Sequence, residues 1–460
     1  MKSKVKVNNL AAYGIVLMTL FFLYLRTTRI KSSDKEYFVL NKTEGVFGLS
    51  LSFYASGMGL WILTSPAEVA WYGLGYDIYG YALSAATPFI LIYFFGPKIA
   101  SLTPEGATLP QFIEKRYGSG AQKVVSIVAV LYMTAFLIAE FASINFIFPE
   151  IVEVSGLVIS IFIGFFTFLY LNKSGFKASY VTDRFQGLGI IALLGVLFAV
   201  WFSQNSISDL VEYSKLGGIN SFETFSFKSA LAVVVAVTAA EVFSQGYWQR
   251  TFSAENTKSI KSASIFAGLG CFITILLLGV AGAVGAGKGI ESPTLSFIQQ
   301  LELSLPMSFL LLLLCTLLVA SSIDTLENAI SSTISLDLVK KGVSEARLIT
   351  AGLVIFSIFC SIYVSNIFSV FLVADLFAVC LVFPTFYKLK NNSTGSFLLV
   401  PFFISISSAY SYRFFFIDIS INPGGIFIPT DLYGLADLNT FLVGLVSSIL
   451  VTIAYNKITK

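Results

Sequence analysis

The sequence contains no histidine, few cysteines and few charges, and each scarcity excludes a class of function. Without histidine, the chain cannot build a histidine-based proton relay, metal site or catalytic triad. The four cysteines stand far apart in apolar stretches, without the close spacing of metal ligands. No nucleophile-base pair or cofactor motif indicates an enzyme. Charged residues make up only 12% of the 460 positions and hydrophobic residues 56%, so we predict an integral membrane protein.

Apolar stretches recur along the whole chain, and each is roughly 18 to 25 residues long, enough to cross a bilayer as a helix. No soluble domain of useful size remains between them. The sequence predicts thirteen membrane spans, near residues 8–26, 46–74, 78–101, 121–149, 155–172, 178–203, 228–250, 260–286, 304–338, 346–365, 367–387, 394–411 and 437–456.

Lysine and arginine indicate the orientation of these spans, because cytoplasmic loops retain them. With the N-terminus outside, the cytoplasmic side receives Arg26, Arg29, Lys31, Lys35, Lys115, Arg116, Lys123, Lys173, Lys177, Arg250, Lys258, Lys261, Lys340, Lys341, Arg347, Lys388, Lys390, Lys457 and Lys460. The tail with Lys2, Lys4 and Lys6 is the exception. We therefore expect a multi-pass protein of the plasma or inner cell membrane, N-terminus outside and C-terminus cytoplasmic. The net charge of +3 reflects this topology and not nucleic-acid binding.

Two predicted spans carry interruptions within their apolar runs. Span two reads "YASGMGLWILTSPAEVAWYGLG", in which Pro66 and the glycines favour a local break of the helix. A proline kink with close helix packing is the alternative interpretation. Span seven carries a polar interruption at Glu241, Ser244 and Gln245, five helices later. Two interrupted helices with this separation are typical of inverted-repeat secondary transporters.

The segment "VASSIDTLENAISSTIS", residues 319–335, carries many polar groups into the ninth span. Hydroxyl and carboxylate oxygens gathered on one helix face suit a hard cation such as sodium. Hydroxyls bonded back to carbonyls one turn earlier are the alternative, but Asp324 favours the cation site. At helical spacing, one face holds Ser321, Asp324, Thr325, Asn328, Ser332 and Ser335.

Ionisable residues inside the spans are few, and by default they mark a functional site because a charge in lipid is costly. For Glu68 and Glu327, near span ends, a snorkelling or capping role competes with function. Asp183, near the start of the sixth span, is either a helix cap or a cation ligand. These ionisable residues are Glu68, Glu140, Asp183, Glu241, Asp324, Glu327 and Asp375.

In these stretches the chain resembles the sodium:solute symporter family, which includes sodium/proline, sodium/sugar, sodium/sialic acid and urea carriers. The resemblance runs from about residue 45 to about residue 390, through the broken span, "TLPQFIEKRYG", "VTDRFQ", "YWQRTF" and "SSIDTLENAISSTISLDLVKK". It implies an all-α polytopic protein with a leucine-transporter-type core of two inverted five-helix repeats. The implied domains are an N-terminal helix and loop (1–45), the repeats (46–205 and 206–390) and two C-terminal helices (391–460).

The resemblance also implies where ions and solute bind. A sodium site would use backbone oxygens of Tyr54, Gly57 and Leu318 with the hydroxyls of Ser321 and Ser322. A second cation or proton site would involve Asp183, Asp324 and Thr325. Because relatives with that site carry hydroxyls at positions 324 and 325, the two aspartates hold a cation, share a proton or bond to each other. The implied substrate contacts are Trp61, Thr64, Tyr81, Ser84, Glu140, Ser244, Gln245 and Asp375.

The function that the resemblance implies is sodium-coupled uptake of a small polar organic solute by alternating access. Tyr81 and Ser244 differ from the sugar carriers and Ser56 from the proline carriers, so urea or an amino acid is the expected solute. The expected partners are that solute, sodium as the co-transported ion and the lipid bilayer, with no cofactor and no nucleic acid. A proton-coupled carrier of the same fold and a non-transporting membrane sensor are the alternatives. The oligomeric state stays open.

Overall fold

The computed structural model of the chain describes residues 9–40, 42–301, 303–364, 367–389, 393–417, 425–431 and 434–459. Lys2, Lys4, Lys6, Lys390 and Lys460 of the orientation argument lie outside the described residues. The helices are α1 (Asn9–Thr28), α2 (Val46–Gly57), α3 (Ser65–Leu102), α4 (Leu109–Tyr117), α5 (Ser119–Ile151), α6 (Gly156–Ser174), α7 (Phe176–Ser203), α8 (Ile207–Leu216), α9 (Thr224–Glu241), α10 (Gln245–Ser253), α11 (Thr257–Gly287), α12 (Ser296–Gln300), α13 (Leu305–Thr333), α14 (Val343–Ser361), α15 (Ile367–Phe386), α16 (Gly395–Phe416) and α17 (Leu438–Ile458).

The predicted spans correspond to apolar helices. In the described part of the chain, eleven helices are long and apolar enough to cross a membrane. Two shorter apolar helices, Val46–Gly57 and Phe371–Phe386, accompany them. Together they give the thirteen spans that the sequence predicts, and the all-α fold class is confirmed.

The first interrupted span is broken, not merely kinked. Helix α2 ends at Gly57, a 3₁₀ turn follows at Leu60–Leu63, and α3 begins at Ser65. Pro66 lies in the first turn of α3, where its missing N–H removes no helical hydrogen bond. Met58 and Leu60 are buried, so the unwound backbone lies inside the protein and away from lipid.

The seventh span is broken as well. Helix α9 ends at Glu241 and α10 begins at Gln245. The carbonyl of Val242, freed by the break, accepts a hydrogen bond from the Trp248 indole N–H at 2.7 Å. The two interruptions predicted from the sequence are therefore both real breaks within the bundle.

Spans two and three are joined more tightly than the sequence suggests. The second part of span two and span three form one helix, α3, with a single distorted residue, Leu74, at φ 61°. A leucine rarely adopts this left-handed conformation, and its neighbours Gly73 and Gly75 leave room for it. A Cβ atom on Gly75 would lie 2.6 Å from the Ser221 carbonyl oxygen, so a larger residue does not fit.

Helix α13, which carries the hydroxyl-rich segment, runs through the interior of the protein. Every residue from 314 to 333 is buried. The helix packs against α2, α5, α7 and α10, among others. The polar face predicted from the sequence therefore contacts other helices, which explains how the chain carries so many hydroxyls and carboxylates to membrane depth.

Candidate functional site

A cavity lies where the two broken helices approach each other. Its volume is about 40 Å³, which is room for a few water-sized groups. The first break contributes Gly57 and Trp61, and the second contributes Glu241 and Tyr247. The complete lining consists of Gly57, Trp61, Tyr81, Ser84, Ala85, Tyr132, Phe136, Val237, Glu241, Tyr247, Phe371 and Asp375.

Half of the residues that line the cavity are aromatic. The Trp61 ring stands edge-on to Tyr81, with centroids 6.1 Å apart, and edge-on to Phe136, at 6.0 Å. The Phe371 ring also packs against Phe136, with centroids 4.8 Å apart. These rings come from four separate segments of the chain, so the cavity exists only in the folded protein.

Two carboxylates face the same cavity. Glu241 is partly accessible from it, and the hydroxyls of Tyr132 and Tyr247 lie beside its carboxylate. Asp375 is 1% exposed, and its Oδ2 atom has no hydrogen-bond partner among the described residues. Of the described residues that line the cavity, none is a lysine or an arginine. The cavity therefore has two acidic groups and no basic side chain to neutralise them.

The predicted substrate contacts divide into three groups. Trp61, Tyr81, Ser84 and Asp375 line the cavity. Ser244 lines a smaller adjoining cavity of about 10 Å³, whose lining also includes Ser56, Ser322, Thr325 and the shared residues Tyr132, Phe136, Glu241 and Tyr247. Thr64, Glu140 and Gln245 line neither cavity.

The three remaining side chains make other bonds. The Thr64 hydroxyl donates to the Trp61 carbonyl oxygen at 2.8 Å. The Gln245 side chain donates to the Ala107 carbonyl at 2.7 Å and accepts from the Leu109 N–H at 3.0 Å, which ties α10 to the start of α4. Glu140 lies at the first helix break.

Glu140 holds the unwound backbone of the first break. It is fully buried, and its Oε2 atom accepts a hydrogen bond from the Leu60 N–H at 2.9 Å. A Cβ atom on Gly59 would lie 1.7 Å from Glu140 Oε1. Only glycine at position 59 therefore lets the backbone pass this close to the carboxylate.

The residues predicted to bind sodium come from two helices that pack directly against each other, α2 and α13. Ser321 Oγ donates to Asp183 Oδ1 at 3.3 Å, and the Ser322 hydroxyl lies beside the Glu140 carboxylate. Leu318 is fully buried on α13, and Tyr54 and Gly57 form the last turn of α2. The predicted ligands thus share one region, and sodium binding there stays a prediction.

The predicted second cation site contains an arginine. Arg250 Nη2 lies 2.5 Å from Asp183 Oδ2, and both side chains are fully buried. Arg250 also donates to the Ser52 hydroxyl at 2.7 Å, to Thr325 Oγ1 at 2.9 Å and to the Gly246 carbonyl at 2.8 Å. Placing Arg250 among the cations of a cytoplasmic loop was wrong, because α10 carries it into the protein interior.

Asp324 is surrounded by hydroxyls. The Thr325 hydroxyl, which accepts from Arg250, also donates to Asp324 and so separates the arginine from this second carboxylate. No bond joins Asp183 to Asp324 in the described structure. The donors to Asp324 and their distances are Tyr170 at 2.6 Å, Ser179 at 2.7 Å, Thr182 at 3.1 Å and Thr325 at 3.4 Å.

Several site residues escaped the sequence analysis. Tyr132 and Phe136 precede Glu140 by eight and four residues on α5, so the three share one helix face, and that spacing was a usable signal. Glu241 was noticed as an intramembrane acid but not as a substrate contact. Arg250 and Tyr247 sit in the quoted stretch "YWQRTF", and only the fold reveals what they touch.

Comparison with known proteins identifies a related transporter sequence and similar solved structures. No family model matches the chain. It is 26% identical over 337 residues to a spermidine transporter of Candida albicans, in an alignment covering 71% of this chain. The chain spans only 63% of that relative's length.

Two of the similar structures are transporters. One is a sodium-coupled sialic acid symporter in a substrate-bound outward-open state, with a TM-score of 0.76, 16% identity and 95% coverage of both chains. The other is Mhp1, a nucleobase-cation-symport-1 family transporter in a closed conformation with bromovinylhydantoin bound. Its TM-score is 0.53 at 13% identity, covering 90% of this chain and 92% of Mhp1.

These similarities confirm the leucine-transporter-type fold with one helix before the core and two after it. The chain is a multi-pass membrane protein. The related sequence and these two structures are transporters and not enzymes, in agreement with the prediction. Structural likeness at 16% identity shows the fold alone, so membership of the sodium:solute symporter family in particular stays a prediction.

Proposed function

We propose that this protein is a secondary transporter that takes up an amine-bearing organic cation by alternating access, coupled to sodium. The observation that carries the proposal is the pair of carboxylates, Glu241 and Asp375, in an aromatic cavity between two broken helices. Broken helices at the repeat interface are where secondary transporters of this architecture bind solute.

The charge of the cavity selects for a cation. Two carboxylates with no basic side chain in the lining are costly to keep ionised in a mostly apolar site. An ammonium group on the solute supplies the missing positive charge and donates hydrogen bonds to the carboxylate oxygens. The rings of Trp61, Tyr81 and Phe136 add attraction, because a cation is drawn to the face of an aromatic ring.

This solute class differs from the one that the resemblance implies. Urea is uncharged and leaves both carboxylates unneutralised. An amino acid supplies one ammonium group but brings a carboxylate of its own into an acidic site. The spermidine transporter to which the chain is 26% identical is named for a polyamine, and a polyamine has the chemistry that this cavity favours.

Sodium supplies the driving force in this proposal. The ion would bind between α2 and α13, with the backbone oxygens of Tyr54, Gly57 and Leu318 and the hydroxyls of Ser321 and Ser322. Its binding favours the outward-open arrangement, and joint binding of ion and solute permits the inward transition. Each positive charge that moves into the cell gains about 2.3 kcal/mol per 100 mV of a membrane potential that is negative inside.

Proton coupling is the second candidate, and Asp324 favours it. This carboxylate is fully buried, and within the described structure it bonds to hydroxyls and to no basic group. A proton binding to Asp324 would remove that uncompensated charge. The two coupling modes differ in their ion requirement and can be separated directly.

The test is uptake by proteoliposomes that contain the full chain. Labelled putrescine, spermidine, urea and proline are each offered with an inward sodium gradient, with potassium in place of sodium, and with a proton gradient alone. We expect sodium-dependent uptake of the amines and no uptake of urea. Amine uptake that follows the proton gradient without sodium would establish proton coupling. Uptake of urea or proline without the amines would contradict the proposed solute class.

A further inference from the structure

The first helix break exposes backbone amides beside the cavity, and the protein covers one of them with its own carboxylate. Glu140 Oε2 accepts the Leu60 N–H at 2.9 Å, directly next to Trp61 of the cavity wall. Glu140 is fully buried, yet its Oε1 atom has no hydrogen-bond partner among the described residues. The Ser322 hydroxyl lies beside the same group. Glu140 is therefore a buried acidic side chain held against the break.

Glu140 also continues the cavity-facing side of its helix. Tyr132 and Phe136 line the cavity, and Glu140 follows Phe136 by four residues, so its side chain lies one turn further along the same face of α5. The contact with Gly59 brings the carboxylate against the unwound backbone. Glu140 therefore stands immediately beyond the cavity wall, between α5 and the break.

N–H groups freed at a broken helix donate hydrogen bonds to the anionic group of a solute, and the dipole at the N-terminal end of a half-helix also favours negative charge. In this protein a glutamate occupies that position. A solute that carries a carboxylate would find the Leu60 donor taken and would meet a like charge. A solute that carries only amines meets an additional attractive charge.

We infer that Glu140 is a specificity-determining residue, which excludes amines that carry a carboxylate and so separates polyamines from diamino acids. The inference rests on the proposed transport of an amine and names the structural feature that narrows the solute class. In this role Glu140 does not contact the solute. Its carboxyl group instead occupies the backbone N–H that a carboxylate of the solute would otherwise bind.

The matched probes are putrescine and ornithine, which share a diamine chain and differ by one carboxylate. Binding of each to the purified full chain is measured for the wild type, Glu140→Ala and Glu140→Gln. We expect the wild type to prefer putrescine by about 100-fold, as like-charge repulsion of this kind allows. Glu140→Ala should lower that preference by about tenfold or more, chiefly through tighter ornithine binding.

Glu140→Gln separates the two parts of the effect and serves if the alanine variant fails to fold. Its amide oxygen still accepts the Leu60 N–H, but the charge is gone, so we expect a smaller loss of preference. Glu327→Gln is the control. Glu327 is another fully buried glutamate, which accepts a hydrogen bond from Thr167 on α6. Its substitution should leave the preference for putrescine unchanged.

The outcomes are distinguishable. An unchanged putrescine preference in both Glu140 variants, with putrescine still bound, would overturn the role of Glu140 and leave the proposed function standing. If the alanine variant does not fold, the glutamine variant alone decides in the same way. Failure of the wild type and of every variant to bind putrescine or spermidine would overturn the proposed function and the inference with it.

Discussion

Arg250 and Asp183 form a fully buried ion pair, with Nη2 of the arginine 2.5 Å from Oδ2 of the aspartate. The pair connects α10, the second half of the second broken helix, to α7. Arg250 also donates to Ser52, which connects α10 to α2. The resemblance implies a second cation or proton site that includes Asp183. The structure places a guanidinium there, a permanent positive charge that cannot leave during transport.

The ion pair leads to a prediction about stability. Arg250→Gln leaves the Asp183 carboxylate buried without a counter-charge, which should lower the free energy of unfolding by about 3 to 5 kcal/mol. Adding Asp183→Asn removes the orphaned charge, so the double variant should recover much of the loss. Thermal unfolding of the purified protein in detergent gives the measurement, analysed as a double-mutant cycle.

Arg184→Gln is the control for this cycle. Arg184 follows Asp183 in sequence but pairs with Glu44 instead, and its side chain is 46% exposed. A pair of this exposure contributes about 1 kcal/mol or less, so the control should be mild. Equal destabilisation by the single and double variants would show that Asp183 and Arg250 do not compensate each other.

A second prediction concerns the two carboxylates of the cavity. Glu241→Gln and Asp375→Asn keep the shape of each side chain and remove its charge. Each should raise the KM for amine uptake by about tenfold or more, because a buried charge pair loses one partner. Uptake kinetics at a fixed sodium concentration provide the measurement.

Ser84→Ala, in the same cavity wall but uncharged, should change KM much less. A normal KM in both carboxylate variants would argue against an ammonium group in this cavity.

A third prediction addresses the sodium site. Ser321→Ala combined with Ser322→Ala removes both hydroxyl ligands and should raise the sodium concentration for half-maximal uptake by about tenfold or more, since hard cations depend on oxygen ligands. Sodium titration of amine uptake is the measurement. Ser331→Ala is the matched control on the same helix, because its hydroxyl is bonded to the Asn328 carbonyl at 3.1 Å. An unchanged sodium requirement in the double variant would place the ion elsewhere.

Some features of this protein follow from local sequence and others do not. The length of each apolar run predicts a span, and Pro66 and the polar residues after Glu241 indicate the two breaks. These signals are local in sequence, so the thirteen spans and both interruptions could be predicted. Arg250 is the last residue of the predicted seventh span, and its partner Asp183 lies 67 residues away in sequence. Only the packing of both α7 and α10 against α13 brings the two side chains together.

Side-chain roles were harder to predict than side-chain locations. Gln245 was expected to touch solute because it follows the second break, but its amide spans the gap to Ala107 and Leu109. The resemblance implies Asp375 as a substrate contact but not Glu241, which lines the same cavity. The two carboxylates come together because α9 packs on α15, and that packing is not visible in the sequence. Polarity at membrane depth therefore identifies functional residues more readily than it identifies their partners.

The last prediction tests the contact between Glu140 and the helix break. Gly59→Ala places a Cβ atom 1.7 Å from Glu140 Oε1, and relieving that overlap should cost about 1 to 3 kcal/mol or more of stability. Glu140→Ala removes the obstructing carboxylate, so the double variant should be more stable than Gly59→Ala alone. Gly120→Ala, with no heavy atom within 4 Å of the new Cβ, should be harmless. Thermal unfolding distinguishes these cases, and an absence of rescue would mean that the carboxylate does not lie against Gly59.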